Sequence, residues 1–338
     1  IWAWLVSIFS FPPEEAQPVA PEPKSEPTIE PQPQPETTAE TTAAPESASE
    51  PTPDPPKPIE VNPVPDGRTG FNPNFLSVCI PLPPLPEDTD PLLHYRHFSV
   101  AMNTARRMPY YTAVNVDAHK YNELKDQIPS RKEMGGDDWD LDPRIPKTAQ
   151  IPESFYEHND FDLGHMVRRE YALWGNTLTE ALAANDDTFY LTNAVPQHKD
   201  FNRNAQRWKG LEDYALKNAR KNDLRISVFS GPVFNENDRK AKGIQIPGQF
   251  WKIIVMVKPD GELSATGYLV QQDDLIESIT ERDLGFRYEQ FKTYQVPLTK
   301  IEELTGLQFG LNDHDPIQKT RSIFALPEPI EDYEDIIF

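Results

Sequence analysis

The sequence predicts an α+β fold in which a mainly antiparallel sheet is flanked by helices. Between residues 75 and 325, runs of apolar and β-forming residues outnumber the segments with helical periodicity. Neighbouring runs also read as antiparallel pairs, one of them around a Pro-Asp-Gly turn. The third observation is a change of composition before residue 75, which separates a linker from a packed domain.

The N-terminal part of the chain differs from the rest. Residues 1–11, IWAWLVSIFSF, are apolar but too few to span a bilayer, and we interpret them as the remnant of a signal peptide or membrane anchor, with an arbitrary fragment edge as the alternative. Residues 12–74 are rich in Pro and Glu and predict a disordered linker. This order favours a bacterial-like, extracytoplasmic protein that is periplasmic, secreted or membrane-anchored, with a membrane tether upstream of residue 12.

The charge of the chain argues against tight, non-specific binding to nucleic acid. The formal net charge is −21, and residues 1–75 contribute −9 of it through twelve acidic and three basic side chains. The remaining domain is still acidic, without the basic footprint of a dedicated nucleic-acid binder. A polyanionic partner must therefore meet a local basic cluster and a metal ion. Catalysis on such a partner is not excluded.

The strands are predicted from apolar runs bounded by turn residues. HFSVAMN (97–103) and YYTAVNVD (110–117) predict paired strands, and DLRISVFSGPVF (223–234) predicts a buried one. The runs FWKIIVMV and ELSATGYLVQQ flank the turn at residues 258–261 and predict a hairpin. A further strand is predicted for DTFYLTNAVPQ (187–197).

Two segments have helical periodicity. NAQRWKGLEDYALKNAR (204–220) has the stronger pattern, and TLTEALAAN (177–185) the weaker one. The domain is predicted to end near residue 325, and residues 326–338 form an acidic tail with an apolar end that we expect to be loosely docked.

Three segments contain the residues most suited to chemistry. FDLGHM (161–166) reads as a strand that ends at Gly164 and presents His165. TNAVPQHKDFN (192–202) reads as a strand and a loop that bring Asn202 to the start of a helix. A strand–strand–helix unit of this kind would bring an imidazole and a carboxamide close together.

The helix itself adds a carboxylate. Trp208, Leu211 and Ala215 have the spacing of a core-facing stripe, and Glu212 lies on the same side of the helix. A carboxylate on the apolar side of a helix is costly unless it meets a cation, a metal or ordered donors. The strand–strand–helix unit would therefore bring an imidazole, a carboxamide oxygen and this carboxylate together, and a solvated Glu212 is the alternative.

Magnesium fits this set of side chains. Mg²⁺ prefers oxygen ligands, keeps several waters and often takes only one or two protein ligands. Asn202 offers a neutral oxygen, and Glu212 can bind the metal directly or hold its waters. An imidazole such as that of His165 can then remove a proton from an attacking water. This combination indicates phosphodiester hydrolysis.

At these residues the chain resembles the DNA/RNA non-specific endonuclease family, the ββα-metal (His-Me finger) nucleases that include mitochondrial endonuclease G. The family's Asp-Arg-Gly-His motif is similar to DLGH (162–165), and its Ser/Thr-Asn-x-x-Pro-Gln motif to TNAVPQ (192–197). Its metal-binding Asn and its Leu-Glu pair are similar to FN (201–202) and LE (211–212). The resemblance covers roughly residues 75–316, and several segments in order are far more specific than one short motif.

The resemblance implies roles for these residues. His165 is the general base, Asn202 the Mg²⁺ ligand, with Mn²⁺ as a substitute, and Glu212 the carboxylate that supports the metal and its water. The family cleaves DNA and RNA through the phosphate backbone and leaves 5′-phosphate ends. Homodimers occur in the family, and the sequence is silent on an inhibitor protein. Four further residues are expected to support the site structurally: Asp162, Gly164, Asn193 and Gln197.

One position departs from the family motif. Leu163 occupies the place of the arginine that helps to hold the substrate phosphate, and a leucine cannot do so. Arg168 and Arg169, three and four residues past His165, are the candidate replacements. A second family arginine lies upstream, before a Trp and an Asp-Pro, and Arg131 or Arg144 is the candidate for its role. The departure leaves open an alternative function, a catalytically impaired nuclease fold that binds nucleic acid or protein. A second alternative is a tethered structural protein in which the linker is the working part.

Overall fold

The computed structural model describes residues 66–85, 91–135, 138–205, 207–276, 293–320 and 328–329. The strands of this part of the chain are β1 (Leu92–His94), β2 (Phe98–Asn103), β3 (Met108–Asp117), β4 (Phe161–His165), β5 (Ala194–His198), β6 (Arg225–Val233), β7 (Arg239–Ala241), β8 (Ile244–Ile246), β9 (Gln249–Val257), β10 (Leu263–Gln271), β11 (Thr293–Val296) and β12 (Glu328–Pro329). The helices are α1 (Ala118–Leu124), α2 (Arg169–Ala172), α3 (Leu178–Asp187), α4 (Lys199–Asn202), α5 (Trp208–Lys221), α6 (Asp273–Ile276), α7 (Leu298–Thr305) and α8 (Pro316–Thr320). Short 3₁₀ helices lie at Lys147–Ala149, Glu153–Phe155, Leu191–Asn193 and Asn312–His314.

One large sheet organises the domain. Its strand order is β1-β2-β3-β6-β9-β10-β11-β12, and each neighbouring pair is antiparallel. Two smaller antiparallel pairs, β4-β5 and β7-β8, lie outside it. The predicted α+β class with a mainly antiparallel sheet is confirmed, as is the hairpin of β9 and β10.

The sheet is buried on both faces, and strand β9 shows how. Phe250 and Ile254 belong to the same apolar cluster as Trp208 of helix α5, so we call this side of the sheet the α5 face. Trp251 and Ile253 alternate with them and pack in a second cluster on the opposite face. This period-two alternation follows from strand geometry, in which successive side chains point to opposite faces.

Residues 66–74 belong to the folded domain, although the sequence assigns them to the linker. Phe71 is buried against Phe229, with 5.3 Å between the ring centroids, and Arg68 forms an ion pair with Asp187 at 2.7 Å. The predicted start of the domain at residue 75 is thus too late. The predictions for residues 1–65 and for most of the acidic tail lie outside the described residues.

Three local predictions differ from the structure. The run at 187–197 forms a strand only from Ala194, because the preceding turn is a 3₁₀ helix. Strand β4 continues through His165 instead of ending at Gly164. Asn202 closes the short helix α4 and does not open the long helix, which begins at Trp208.

Within the described residues, no helix is long and apolar enough to cross a membrane.

Candidate active site

Strands β4 and β5 form the two-stranded base of the site. Their antiparallel register pairs Asp162 with Gln197 and His165 with Ala194. Gly164 lies directly against the Gln197 side chain. A Cβ atom at position 164 would be 2.3 Å from the Gln197 Oε1 atom. Gln197 is fully buried, so this contact has little room to relax. A glycine is required here by lack of space and not by backbone conformation.

Asn193 fixes the chain just after β4. Its side-chain oxygen accepts a hydrogen bond from the Val167 backbone N–H at 2.8 Å, and its amide nitrogen donates to the Val167 and Thr188 carbonyl oxygens at 2.9 Å each. Its own carbonyl accepts from the Met166 N–H at 2.9 Å. The buried amide therefore holds the segment that follows His165 against the turn that precedes β5.

Helix α4 follows β5 at once and carries Asn202 at its end. The Asn202 Nδ2 atom donates to the Asp162 carboxylate at 3.0 Å. A carboxylate only accepts hydrogen bonds, so the amide nitrogen must face Asp162, and the amide oxygen is the atom left for a metal. Arg203 donates to the same carboxylate at 2.8 and 2.5 Å. Asp162 thus orients two neighbouring side chains.

Helix α5 completes the strand–strand–helix unit. Trp208, Leu211 and Ala215 are buried in the core, as the spacing predicts, and basic residues in the last turn suit the negative end of the helix dipole. The Trp208 indole also donates to the His165 carbonyl oxygen at 3.3 Å. Glu212 is only 6% exposed on the same side of the helix.

The imidazole of His165 is held by aromatic rings. The ring centroid of Trp139 lies 4.5 Å away, and that of Phe189 lies 5.0 Å away at nearly a right angle. Both rings belong to a small apolar cluster, against which Leu163 packs. Leu163 and His165 are two residues apart on β4 and share a face of the strand. The residue at 163 therefore lies directly beside the imidazole.

Glu212 faces a buried cation that the motif analysis does not include. The Lys252 Nζ atom lies 3.4 Å from Glu212 Oε1 and is fully buried. Burial lowers the pKa of the Lys252 ammonium to about 8, and the Glu212 charge opposes this shift. Burial likewise raises the pKa of Glu212, with Lys252 and Arg168 acting in the opposite direction.

One cavity of about 580 Å³ collects these residues. It is lined by His165, Asn202, Glu212, Asp162, Leu163, Trp139, Glu170, Arg131, Arg168, Arg169, Arg203 and Lys209. Five of the lining side chains are basic and three are acidic, so the cavity is locally positive although the chain as a whole carries −21. A local basic cluster of this kind can meet a polyanion without a positive field from the whole molecule.

The basic residues of the cavity differ in how they are held. Arg168 is ion-paired to Glu170 at 2.8 Å and to Asp213 at 2.6 Å. Arg169 is buried, and its Nη2 atom lies 3.5 Å from the Met134 sulfur. Arg203 has 70% of its side chain exposed, so its guanidinium is the more accessible to a large substrate.

Arg144 is not among the residues that line the cavity. Its guanidinium is ion-paired with Asp142 at 2.6 Å and donates to the His94 carbonyl oxygen at 2.7 Å. It also lies 4.5 Å from the centroid of the Tyr95 ring. These partners hold the side chain in a structural network, so the assignment of Arg144 to substrate binding is corrected. Arg131 does line the cavity and is exposed.

The donor set of the cavity fits a hard divalent cation. Asn202 and Glu212 offer oxygen atoms, and the described residues contain no cluster of three or more His, Cys, Asp or Glu side chains that could hold a metal. Such a sparse oxygen set suits Mg²⁺, which keeps several waters, better than Zn²⁺, which takes four nitrogen, sulfur or oxygen ligands.

The sequence did not point to Arg203, Lys209, Trp139 and Glu170 of the cavity lining, or to Lys252 beside Glu212. Arg203 follows Asn202 directly and Lys209 lies in the first turn of α5, so two basic residues close to the motif were a usable signal. Trp139 is not among the site residues predicted from the sequence. Lys252 lies forty residues beyond Glu212 in an apolar strand, and no local pattern connects the two.

The comparison with protein families agrees with this geometry. Residues 83–314 match the model of the DNA/RNA non-specific endonuclease family. The chain belongs to this family. The resemblance inferred from the motifs is thereby confirmed. The motifs lie on the ββα unit that β4, β5 and α5 form.

Individual relatives are between 26% and 39% identical to this chain over the aligned residues. The chain is 39% identical over 269 residues to an uncharacterised protein, y4fB, of Sinorhizobium fredii. This alignment covers 72% of this chain and 39% of y4fB. It is 26% identical over 200 residues to human mitochondrial endonuclease G, covering 54% of this chain and 61% of the relative. The mitochondrial nuclease EXOG of Xenopus laevis is 26% identical over 245 residues, covering 67% and 63%. The chain thus spans less than two thirds of these curated relatives.

A solved structure supports the fold. A chain in the crystal structure of the EndoG/EndoGI complex aligns with a TM-score of 0.50 at 20% identity. The alignment covers 66% of this chain and 86% of the other. At this identity the likeness concerns the fold, and it agrees with the α+β architecture described above.

Proposed function

We propose that this chain is a metal-dependent endonuclease that hydrolyses phosphodiester bonds of DNA and RNA and leaves 5′-phosphate ends. The observation that carries the proposal is the presence of His165, Asn202 and Glu212 around one cavity, together with five basic side chains. Membership of the DNA/RNA non-specific endonuclease family supports the same reaction class. Mg²⁺ is the proposed metal, with Mn²⁺ as a substitute.

The basic side chains hold the substrate by its backbone. Arg131, Arg168, Arg203 and Lys209 offer cationic donors to phosphate oxygens, and Arg169 adds a buried positive charge behind them. Phosphate contacts fix the position of a nucleic acid but carry no sequence information. The site can therefore accept DNA and RNA of any sequence.

His165 acts as the general base. Its ring is fixed between Trp139 and Phe189, so the imidazole keeps one orientation at the cavity wall. It takes a proton from a water whose oxygen attacks phosphorus, and the bond from phosphorus to O3′ breaks. The phosphate stays on the 5′ end of the downstream product, and O3′ takes a proton from solvent water and becomes the 3′-hydroxyl of the upstream product. General base catalysis of this kind contributes about 10²- to 10⁴-fold to the rate.

Asn202 and Glu212 hold the metal. The Asn202 amide, oriented by Asp162, offers its oxygen as a ligand, and Glu212 offers a carboxylate for direct ligation or for metal-bound water. When bound, the metal supplies a positive charge that stabilises the charge developing on the phosphate and the leaving oxygen.

Cleavage assays on the full chain test the proposal. Supercoiled plasmid and a long RNA are incubated with Mg²⁺, with Mn²⁺ and with EDTA, and the product ends are identified by their susceptibility to a 5′-phosphate-dependent exonuclease. We expect metal-dependent cleavage of both substrates and a loss of about 10²-fold or more in His165→Ala. His119→Ala, at an exposed histidine outside the cavity, is the matched control and keeps wild-type activity.

The same assays distinguish the proposed endonuclease from the rival function, a nuclease fold that only binds. Leu163, which packs in the apolar cluster instead of offering a charge, is the observation that favours a nuclease fold kept only for binding. A wild-type chain that binds a labelled oligonucleotide but cleaves neither substrate with any divalent metal would support that binding module. Equal cleavage by wild type and His165→Ala would exclude the proposed role of the histidine.

We also propose that the domain works outside the cytoplasm. The support is the order of segments in the sequence, with apolar residues 1–11 before the Pro-rich residues 12–65. Cell fractionation of the native protein, with a protease-protection assay on intact cells, tests this location. Recovery in the cytoplasmic fraction alone would contradict it.

A further inference from the structure

Lys252 is a charged residue in a place where charges are rarely found. It lies in the middle of strand β9, paired with Ser230 of β6 and Tyr268 of β10, and its side chain has no exposed surface. Lysine is almost never fully buried unless it is paired, because removing an ammonium group from water costs several kcal/mol. A buried lysine at the centre of a sheet therefore calls for a specific function.

The surroundings of Lys252 point it at the candidate site. Its Nζ atom donates to the Ser230 Oγ atom at 2.8 Å and lies 3.4 Å from Glu212 Oε1. It also lies 4.2 Å from the centroid of the Trp208 ring and 5.5 Å from that of Tyr171, on whose π-faces a cation is stabilised. The ammonium thus occupies the α5 face of the sheet, beneath the part of the helix that carries Glu212.

We propose that Lys252 is a positioning residue of the metal site, which holds the Glu212 carboxylate in the orientation that metal binding needs. This inference rests on the proposed function. Lys252 engages Oε1, so Oε2 is the carboxylate oxygen left for a metal or its water. Ser230 and the two aromatic rings fix the ammonium from the other sides, so the carboxylate is held by a rigid partner.

Stability alone does not account for this pair. Replacing a buried ion pair by apolar residues of similar volume is often neutral or stabilising, so a core without Lys252 and Glu212 would serve the fold as well. Groups that orient a metal ligand have a different effect, since their removal lowers metal affinity or activity about 10- to 100-fold. Metal affinity therefore separates the positioning role from a structural one.

Mn²⁺ binding to the full chain, measured by electron paramagnetic resonance without nucleic acid, tests the proposal apart from turnover. Lys252→Met keeps the length of the side chain and removes its charge, and we expect about 10- to 100-fold weaker Mn²⁺ binding. In a Glu212→Gln background the same substitution should change the affinity less than about twofold, because the residue through which it acts is already neutral. Lys242→Met, at a lysine that bonds the Phe155 and Glu157 carbonyls, is the control.

The outcomes are distinct. Wild-type Mn²⁺ affinity in Lys252→Met, or an equal loss with and without Glu212, overturns the positioning role while wild-type cleavage leaves the nuclease proposal intact. A wild-type chain that neither binds Mn²⁺ nor cleaves nucleic acid overturns both. If the circular dichroism of Lys252→Met shows that it does not fold, Ser230→Ala takes its place, because it frees the ammonium on one side. About two- to fivefold weaker binding is then expected, and unchanged affinity overturns the proposal.

Discussion

Leu163 is the residue at which this chain departs most clearly from its family motif. It lies two positions before His165 on the same face of β4 and lines the cavity. An arginine there would place a guanidinium beside the imidazole, where the substrate phosphate is expected. We predict that Leu163→Arg raises kcat/KM for plasmid cleavage about tenfold, the effect of one charge-assisted hydrogen bond of roughly 1.4 kcal/mol. Leu163→Met, which adds no charge, is the control.

Unchanged or lower activity of Leu163→Arg would mean that another cation already fills the role. Arg203 is the first candidate because it is exposed and follows Asn202 directly. We predict that Arg203→Gln raises KM about five- to tenfold and lowers the salt dependence of oligonucleotide binding by about one phosphate contact. Arg225→Gln removes a half-exposed arginine paired with Asp117 and should change neither quantity. A KM effect of the same size in both variants would argue against a specific phosphate contact.

The residues with motif signals were predictable from the sequence, and those held by long-range packing were not. The grouping of His165, Asn202 and Glu212 around one cavity was predictable because three segments carry recognisable residue types at helix and strand spacings, while their catalytic roles stay predictions. Arg144 lies outside the lining of the cavity, paired with Asp142, and the sequence does not show where its side chain points. Lys252 stands in FWKIIV like any lysine in an apolar strand, and its role depends on which helix covers that face of the sheet.

At the scale of elements, the β4-β5 pair depends on close approach at one glycine. A Cβ on Gly164 would lie 2.3 Å from the Gln197 Oε1 atom, so the Gln197 side chain or strand β4 would have to move. We predict that Gly164→Ala lowers the melting temperature and reduces cleavage at least tenfold, since about 1–3 kcal/mol of overpacking falls on the strand that carries His165. Melting curves and plasmid cleavage measure both effects.

The double variant Gly164→Ala/Gln197→Ala supplies the control for that prediction. Shortening Gln197 removes the atoms that the new methyl group would meet, so stability and activity should recover in part relative to Gly164→Ala alone. If the single variant is as stable and active as wild type, the strands are more loosely packed at this point than the structure indicates.

Strand prediction succeeded where period-two patterns were long and failed where tertiary contacts decided the backbone. The hairpin of β9 and β10 was predicted from its turn and its apolar runs. The run from Asp187 to Leu191 is rich in β-formers, yet it ends helix α3 and enters a 3₁₀ turn. The buried Asn193 amide donates to the Thr188 and Val167 carbonyl oxygens across this turn, and the Val167 contact, 26 residues away, has no local signal in the sequence.

At the scale of the whole molecule, the start of the folded domain is a testable boundary. Phe71, Leu76 and Ile80 are buried in the core opposite the α5 face. Deleting residues 1–65 should leave the melting temperature and nuclease activity unchanged. Deleting residues 1–80 should unfold the domain, because the loss of each large buried side chain costs about 2–5 kcal/mol. Loss of activity on the shorter deletion would contradict this boundary and favour a working role for the linker.

Predicted from composition alone, the start of the folded domain lies too late in the sequence. Residues 66–74, DGRTGFNPN, offer only one large apolar side chain, Phe71, whose burial shows that the segment packs on the sheet. The charge of the chain is similarly uneven. A net charge of −21 hides a cavity with five basic and three acidic side chains, so bulk charge is a poor guide to what the site can bind.

The hydrogen bonds of the Asp162 carboxylate have a thermodynamic consequence for binding at the site. It receives hydrogen bonds from the Asn202 amide and the Arg203 guanidinium at once. If a phosphate draws Arg203 away, Asp162 keeps Asn202 as a partner and the charge around that amide changes. Occupancy by the cation and by the nucleic acid then become linked, and each must alter the affinity for the other by the same factor. Through one acidic side chain, the site can respond to cation and substrate as a single reciprocal equilibrium.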